Sequence, residues 1–411
     1  MKIEFLNTRE KRNIAFLFTM AIFAVICFVK YFDRNINAQD TTVFAFSYKY
    51  GFISRGLMGT FWWILDEILP MNLMDFSSIY KFTLMITVVW YMVLFWFYYI
   101  CLKNCNEKDE KNMKYLICFL SVFAFPFFAT VQNFGRLDEY LMILTVVACV
   151  LIVKEKHEWL IVPIVTICMI MHHGYVFMYL NIILVLFFYK ILMNEEKRKK
   201  YIVLFTSTFL IASVFFLYFE FFSHPEGEGI YEEIVTLAKS LSRSGNSFSE
   251  SMVNHEILGL DVYDDEKIFH TINAIETPIA FCFYFPYLFI GLGFLVRLFK
   301  GKSVKEKWAY LAVAVGSLTL IPQIVLKVDL GRYMFAAFFY YIAIVMCLIA
   351  MKDKHVIAQL EDSISRVKNT IPAGKLLIAY PMMLMPFLDV PICWRFWELI
   401  DKFIYDLHPL V

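Results

Sequence analysis

Long apolar stretches separated by short polar connections run along almost the whole chain. A helix needs about 20 mainly apolar residues to cross a bilayer, and about eleven stretches come close to that length. The pattern predicts an all-α, polytopic membrane protein with about 11 transmembrane helices. The third, fourth and fifth stretches are short, so we expect tilt or buried ends there. The predicted spans are 13–32, 79–102, 115–131, 139–153, 158–173, 175–193, 201–222, 277–298, 308–326, 333–351 and 375–393.

The composition excludes an ordinary soluble globular protein. Of the 411 residues, 60% are hydrophobic and only 18% are charged, and the mean hydropathy is +0.62. A soluble core cannot bury so large a share of apolar side chains. We therefore expect residues 1–411 to form a single integral membrane domain in contact with membrane lipids.

The distribution of charge predicts how the chain lies in the membrane. If the N-terminus is cytoplasmic, most of the 38 Lys and Arg residues fall on the cytoplasmic side, and most of the 37 Asp and Glu residues fall outside. Cytoplasmic loops of membrane proteins carry an excess of Lys and Arg. We therefore expect a cytoplasmic N-terminus and, after an odd number of spans, an outer C-terminus. The predicted location is a bacterial plasma membrane, with any active site facing outside.

Three outer segments are long enough to hold structure of their own. Segment 33–78 alternates apolar and polar residues, which predicts interfacial helices. Segment 223–276 contains two acidic, helix-forming stretches separated by the serine-rich turn 242–247, and it is too short for an independent domain. We expect it to form a cap on the outer face. Segment 394–411 has its apolar residues on one helical face, which predicts an interfacial C-terminal helix.

Ionisable residues gather at the outer ends of several predicted spans. A charge at the bilayer centre costs about 2.5–3.5 kcal/mol on insertion scales. Charged groups on short connections therefore either reach water or line a common cavity. No predicted span carries a train of charges through the bilayer core, as a proton relay or voltage sensor would. The candidate site residues are Asp33, Asp40, Lys49, Arg55, Arg136, Asp138, Glu139, His172, His173, Lys327, Asp329 and Arg332.

Two of these groups, around the fourth and fifth spans, allow a structural and a functional interpretation. Arg136, Asp138 and Glu139 either form a polar turn that caps the fourth span, or they bind a ligand. In the second case Asp138 or Glu139 holds a metal ion or a sugar hydroxyl, and Arg136 meets an anion. The adjacent His172 and His173 are either an interfacial pair or groups that bind a phosphate or donate a proton near neutral pH.

The remaining cations allow the same two interpretations. Lys327, Asp329 and Arg332 either form an internal salt bridge or clamp a phosphate group. Lys49 and Arg55, which lie among aromatic residues and glycines, either anchor the first loop at the headgroup level or meet a phospholipid-like donor. Neither the spacing nor the composition decides between these alternatives.

The sequence contains no pattern for several common cofactors. The nine cysteines show neither a disulfide framework nor metal-ligand spacing. A Gly-rich phosphate-binding loop is missing, so we expect no nucleotide, and we expect no nucleic acid partner. A divalent cation, Mg²⁺ or Mn²⁺, could bind at Asp138.

The arrangement of the outer acids resembles the C-type superfamily of membrane glycosyltransferases. In that superfamily a catalytic acid follows the first span, interfacial helices come next, and a second acid precedes the fourth span. Asp33 and Asp40, followed by the amphipathic stretch 43–69, match the first feature. Arg136-Leu137-Asp138, which leads directly into the fourth span, resembles the second. The similarity covers roughly residues 10–200, and the chain lacks an Asp-x-Asp motif and a large soluble C-terminal domain.

The resemblance implies transfer of a sugar from a polyprenyl phosphate or diphosphate donor to a glycan, lipid or protein acceptor. It implies a role in surface polysaccharide or glycoconjugate synthesis. Asp40, with Asp33 as the next choice, would be the base, and Asp138 would orient the acceptor or hold a divalent cation. The donor phosphate would lie among Arg136, Lys327 and Arg332.

Other functional classes stay open at this point. The cap segment and the basic outer ends resemble, more weakly, bacterial O-antigen or capsule polymerases. A transporter or flippase of lipid-linked sugars would use the outer cations as one end of a path, and it would need a matching polar group at the inner ends. The sequence shows only scattered Lys and Glu there. A purely structural or partner-binding protein is the third class.

Overall fold

The computed structural model describes most of the chain, and the described part is all-helical. Within it the regular secondary structure contains only helices, which confirms the predicted fold class at this level. The predicted span 375–393, the C-terminal helix 394–411 and most of the span 277–298 lie outside the described residues. These are 8–32, 36–69, 73–129, 133–223, 225, 227, 229–245, 247–258, 293–294, 296–299, 301–322 and 330–370.

Fifteen α-helices are complete within the described residues, and short 3₁₀ turns connect several of them. They are α1 (Thr8–Tyr31), α2 (Ala38–Thr42), α3 (Gly56–Ile68), α4 (Phe76–Asn104), α5 (Glu110–Phe127), α6 (Leu137–Lys154), α7 (Ile161–Met171), α8 (Tyr175–Met178), α9 (Leu180–Met193), α10 (Arg198–Phe221), α11 (Ile230–Leu241), α12 (Glu250–Val253), α13 (Val304–Val315), α14 (Leu330–Ala350) and α15 (Lys354–Thr370).

Three of these helices are long and apolar enough to cross a membrane. They are Thr8–Lys30 within α1, together with α4 and α10. Shorter apolar helices occupy Glu158–Met171, Leu180–Met193 and Phe335–Ala350. Long apolar helices support a membrane protein, whereas the predicted number of spans and their orientation remain predictions.

The outward faces of α1 and α10 are apolar. Phe18 and Val29 of α1 are 67% and 74% exposed, and Val203, Val214 and Phe221 of α10 are each more than 60% exposed. Each such side chain would lose about 1.5–3 kcal/mol by facing water instead of an apolar medium. Lipid chains around these helices would remove that cost, so the exposed faces agree with a bilayer environment.

Helix α6 lies at the centre of the bundle. It packs against α4, α7 and α9, and side chains around its circumference, including Leu141, Val146 and Ile152, are buried. A helix that is buried on all sides needs apolar residues all round, which is the pattern of residues 140–153. Asp138 and Glu139, in the first turn of this helix, are therefore surrounded by tightly packed and largely apolar side chains.

The ion pairs of the described residues fall into two separate sets. Arg9 pairs with Glu110 at one end of the bundle, and Arg332 pairs with Asp138 at the other. In the described part of the chain, each pair joins two groups that the alternation of spans places on the same side. This sorting supports the alternation, although it does not tell which side faces the cytoplasm.

Lys190 of α9 is buried at the predicted inner end. Its ammonium group donates to the Ile152 carbonyl and to Glu155, both at 2.8 Å, and to the Tyr201 hydroxyl at 3.3 Å. Partial burial alone would raise the pKa of Glu155, but hydrogen bonds from Lys190 and Lys197 lower it to about 2. Glu155 therefore stabilises the fold above its ordinary pKa of about 4.3, and this contribution is lost as the pH falls towards 2.

The inner lysines and glutamates form a connected group, which corrects the expectation of scattered charges. The Glu158 side chain is fully buried and pairs with Lys200, and its other oxygen lies 3.9 Å from Lys190. Buried charges require partners. Here α9, α10 and the connection between α6 and α7 supply them. We call this group the inner cluster, and it consists of Glu155, Glu158, Lys190, Lys200 and Tyr201.

Replacing Lys190 should destabilise the protein much more than replacing its exposed neighbour Lys197. Lys190→Met leaves Glu155 and the Ile152 carbonyl without their buried donor, and we expect a loss of about 2–3 kcal/mol. Lys197 pairs with the same Glu155 but is half exposed, so Lys197→Met should change stability little. Thermal unfolding of both variants in lipid nanodiscs measures the difference, and equal losses would contradict the role of burial.

Candidate functional site

An ion pair fixes the beginning of α6 to the beginning of α14. Arg332 donates through Nη1 to Asp138 Oδ2 at 3.0 Å, and the Tyr179 hydroxyl donates to Asp138 Oδ1 at 3.2 Å. Asp138 is almost completely buried, and Arg332 also donates to the Tyr333 hydroxyl. A bond between a buried carboxylate and a guanidinium is strong and directional. Three separate parts of the chain therefore meet at Asp138.

A second acid of α6 lies beside the acid of the first loop. Glu139 is fully buried, and Asp40 of α2 is 4% exposed. The two carboxyl groups are close enough for the charge of Asp40 to act on Glu139. Neither oxygen of Glu139 makes a hydrogen bond of full geometry among the described residues, although the Thr87 side chain of α4 lies close enough to interact with it, and the Tyr140 hydroxyl has no partner there either. We refer to Asp40 and Glu139 as the carboxyl pair.

The close approach of α2 to α6 depends on Gly135. Its φ of +93° suits glycine, and a Cβ atom there would lie 3.2 Å from Thr83, 3.3 Å from Ile36 and 3.6 Å from the Cβ of Asp40. Asn37 caps the start of α2 by accepting from the backbone of Gln39. The turn before α6 and the capped turn of α2 thus bring Asp40 next to Gly135, two residues before α6 begins.

Arg55 joins the first loop to the cap. It has φ +60° and precedes α3, which packs so tightly on the preceding turn that a Cβ at Gly59 would lie 1.9 Å from the Phe46 carbonyl oxygen. Its side chain lies 3.3 Å from the buried carboxylate of Glu256. Burial would raise the pKa of Glu256, but the charges of Arg55 and two histidines hold that pKa below its usual range. Glu256 is therefore an ionised group inside the cap contact.

Two further contacts tie the cap and the fifth predicted span to the first loop. Lys49 pairs with Glu233 of α11 at 2.7 Å, and this hydrogen bond lowers the pKa of Glu233. His173 Nδ1 lies 2.8 Å from the Ser54 hydroxyl, and its Nε2 lies 3.7 Å from Glu220. Lys49, Arg55 and His173 lie at the predicted outer face, and each of them contacts a residue from another segment.

His172 and His173 point to different surroundings. The rings stand nearly perpendicular with centroids 5.5 Å apart. His172 is 9% exposed, and its ring covers Gly174, where a Cβ would meet it at 3.0 Å. Arg136 is also buried, at 8% exposure. The described side chains at this end are thus mostly enclosed, and few of them face open solvent.

The structure brings the candidate residues together in three groups. Asp138 pairs with Arg332, Asp40 lies near enough to Glu139 for its charge to act on it, and Arg55 lies with His173 around Glu256. Asp33, Lys327 and Asp329 lie outside the described residues, and their roles stay predictions.

Sequence reasoning did not identify several partners of these residues. Glu256 and Glu233 belong to the acidic cap, where no pattern distinguishes them from other carboxylates. Tyr179 lies within an apolar run and carries no polar signal. Ser54 is adjacent to the candidate residue Arg55, and this position could have indicated it.

The described residues contain no group of three His, Cys, Asp or Glu side chains arranged to hold a metal ion. Both oxygens of Asp138 already accept hydrogen bonds, one of them from Arg332. A divalent cation at Asp138 would have to displace that guanidinium or share the carboxylate with it. The geometry therefore favours Asp138 as an ion-pair partner.

A cavity of about 460 Å³ lies between α2 and the turn 242–247 of the cap. Ala38 and Thr41 form its wall on the loop side, whereas Asp40, on another face of α2, does not line it. The remaining lining residues are Ile36, Ser242, Arg243, Ser244 and Ser247. The cavity is thus lined by hydroxyl groups and one arginine, and it borders the short helix that carries Asp40.

Comparisons with known proteins do not identify this chain: no protein-family model matches it, and neither a curated protein nor a solved structure is significantly similar.

Breaking the Arg55–Glu256 contact should loosen the cap. In Glu256→Gln the partly buried Arg55 loses its countercharge, so we expect faster hydrogen–deuterium exchange across α11 and α12. Glu233→Gln is the matched control, because its contact with Lys49 is largely exposed and should matter little. In the wild type, exchange should also rise as the pH falls through the lowered pKa of Glu256. Unchanged exchange in Glu256→Gln would contradict the assignment.

Proposed function

We propose that this protein is a membrane glycosyltransferase. It would transfer a sugar from a polyprenyl phosphate or diphosphate to a glycan, lipid or protein acceptor at the outer face of a bacterial plasma membrane. The observation that carries the proposal is the convergence of two acid-containing groups on the first turn of α6. Asp138 and Glu139 are consecutive, so the Arg332 ion pair and the carboxyl pair are neighbours. Glycosyl transfer requires a base and a cation close together.

In this mechanism Asp40 is the base. It accepts the proton of the acceptor hydroxyl while the hydroxyl oxygen attacks the anomeric carbon of the donor sugar. The bond between the anomeric carbon and the phosphate oxygen breaks at the same time, and the phosphate leaves with the bonding electrons. Asp33, in the same loop, is the alternative base.

Arg332 stabilises the charge that develops on the departing phosphate. A guanidinium has five N–H donors, so it can hold Asp138 and a phosphate oxygen at once. Asp138, which itself accepts from Tyr179, and the Tyr333 hydroxyl fix its position before the substrate arrives, and a prepositioned cation needs no reorganisation during the reaction. Arg136, which begins the same turn, and Lys327 are the further cations that we assign to the phosphate.

The lipid tail of the donor would lie against the apolar outer surface of the bundle. The exposed faces of α1 and α10 are apolar along their length, as a polyprenyl chain requires. We propose about eleven spans with a cytoplasmic N-terminus. In that topology the carboxyl pair and Arg332 lie at the outer ends, away from cytoplasmic nucleotide sugars.

The inner cluster favours one other function, which is transport or flipping of a lipid-linked sugar. A transporter needs polar groups at both ends of its path, and the inner cluster supplies a buried set at the second end. Its lysines and glutamates neutralise each other, as expected of a structural clasp between helices. Transport is therefore the second candidate function.

Substitutions at the proposed site should slow transfer by orders of magnitude. With a lipid-linked sugar and candidate acceptors, Asp40→Asn should lower kcat by about 10²–10⁴-fold because the base is lost. Arg332→Met should lower it by about 10²–10³-fold because the departing phosphate is no longer stabilised. Glu67→Gln, an exposed acid of α3, is the control and should behave as the wild type.

Transfer at the wild-type rate by Asp40→Asn, Asp33→Asn and Asp138→Asn alike would refute the assignment. A reconstitution experiment separates the second function from the first. If vesicles containing the protein move a fluorescent lipid-linked sugar between leaflets without any acceptor, and Asp40→Asn moves it equally well, the protein is a transporter.

A further inference from the structure

The cavity between α2 and the turn 242–247 has the size of a small-molecule site. Its volume is about 460 Å³, and ligand pockets commonly measure about 300–1,000 Å³. On the cap side Arg243, Ser244 and Ser247 are exposed, whereas Thr41 of α2 is buried. The cavity therefore opens to solvent along the cap and is closed on the side of α2. In the predicted topology this opening faces the outside of the cell.

The cap wall of this cavity is ordered by its own hydrogen bonds. The Ser247 backbone N–H donates to Ser242 Oγ at 3.3 Å, and Ser242 Oγ donates to the Lys239 carbonyl at 2.8 Å. The hydroxyl oxygens of Ser244 and Ser247 lie 3.0 Å apart. Gly245 has a φ of +69°, which glycine adopts without strain. A hydroxyl has one donor and two acceptor positions, so these serines are held in place and can still bind a ligand.

Contacts between the cap and α2 hold the two walls together. The Ser249 backbone N–H donates to Thr42 Oγ1 at 3.0 Å, and Thr42 Oγ1 donates to the Ala38 carbonyl at 2.7 Å. Helices α11 and α12, which flank the turn, both pack on α2. The cavity is therefore formed by the docking of the cap. A preformed cavity lowers the cost of ordering the groups that bind a ligand.

The lining of the cavity suits a sugar. Ile36 and Ala38 supply apolar surface, and Arg243 supplies a guanidinium group. The other lining residues, Thr41 and three serines, carry hydroxyl groups. A sugar ring has apolar C–H faces and a rim of hydroxyls that donate and accept hydrogen bonds, so it matches a wall of this mixed kind. A phosphate clamp would need more cations, and a lipid chain would need a mainly apolar wall. The described lining contains one cation and no carboxylate.

We propose that this cavity is a saccharide-binding site that holds the acceptor glycan. Arg243 donates to hydroxyl oxygens of the sugar, because five N–H donors allow a guanidinium to bind a ligand beside a protein partner. The assignment of the saccharide as the acceptor rests on the function proposed above. Asp40 lies on the same short helix as Ala38, and a helix with its side chains is about 10–12 Å across. A glycan of several sugar units can occupy the cavity with one unit and bring another to Asp40.

A glycan array tests the site without any donor or transfer reaction. The full-length protein in fluorescently labelled nanodiscs is applied to an array of microbial oligosaccharides and polysaccharides, with empty nanodiscs as the background. We expect binding to at least one class of saccharide, and the same saccharide in solution should compete with it. If the wild type binds no saccharide on the array, the proposal is overturned.

Variants of the two walls locate the binding. Ala38→Phe places a ring in the cavity from the α2 side, and Arg243→Met removes the guanidinium from the cap side. Each should weaken binding of the saccharide by about tenfold or more. Lys239→Met is the matched control: it removes one cation from the same cap, at a residue that does not line the cavity, and should bind as the wild type does.

Two outcomes would contradict this location. Equal affinity of the wild type and Ala38→Phe would show that the saccharide binds elsewhere. An equal loss in Arg243→Met and Lys239→Met would show that only the net charge of the cap matters. If Arg243→Met fails to fold, Ala38→Phe still decides, because it changes the opposite wall.

Kinetics then separate the acceptor site from the proposed function. In the transfer assay Ala38→Phe should raise KM for the acceptor by about tenfold and leave KM for the lipid-linked donor unchanged. If transfer occurs and Ala38→Phe leaves the acceptor KM unchanged, the proposed function stands and the acceptor site is refuted. If the wild type binds a saccharide in the cavity but transfers no sugar from any lipid-linked donor, the proposed function fails and the saccharide site stands.

Discussion

The structure depends on one constraint, which is that a charge inside an apolar helical bundle must be paired or neutralised. A lone buried ion costs several kcal/mol even after relaxation of its surroundings. Most of the described buried charges meet this constraint by pairing. Asp138 and Lys190 have partners of opposite charge, and Glu139 is enclosed without one. The position of each charged group therefore determines which helices must meet around it.

Helix α6 shows how this constraint organises the bundle. At its beginning Asp138 binds Arg332 of α14, and just beyond its end Glu155 binds Lys190 of α9. Apolar packing between these points is strong but not directional, so helices could slide or rotate against each other. The two ion pairs fix the register of α6 against its neighbours at both ends. The apolar packing along α6 and the ion pairs at its two ends together place its first turn close to the first outer loop.

The sequence predicted the helices well and their partners poorly, for a physical reason. A predicted span at 79–102 lies within α4, because hydropathy is a local property that one window of residues reveals. The pairing of Asp138 with Arg332 joins residues 194 positions apart, and sequence order indicated only that both lie on one side. Lys190 lies near the end of an apolar run, where no sequence pattern indicates a buried ion pair. Glu256 is one of many acids in the cap. Burial distinguishes these residues, and burial is a property of the assembled bundle.

The same constraint separates the roles of the acids at the outer end. A base must accept a proton, and a proton on Asp138 would remove the countercharge of Arg332, whose side chain is only 16% exposed. Protonation there would therefore carry the cost of stranding a nearly buried cation. A proton accepted by Asp40 leaves that ion pair intact, so the fold can withstand each turnover unchanged. The acid that is most firmly paired is thus the poorest base, so the proposed transfer reaction would use Asp40 and not Asp138 to accept the proton.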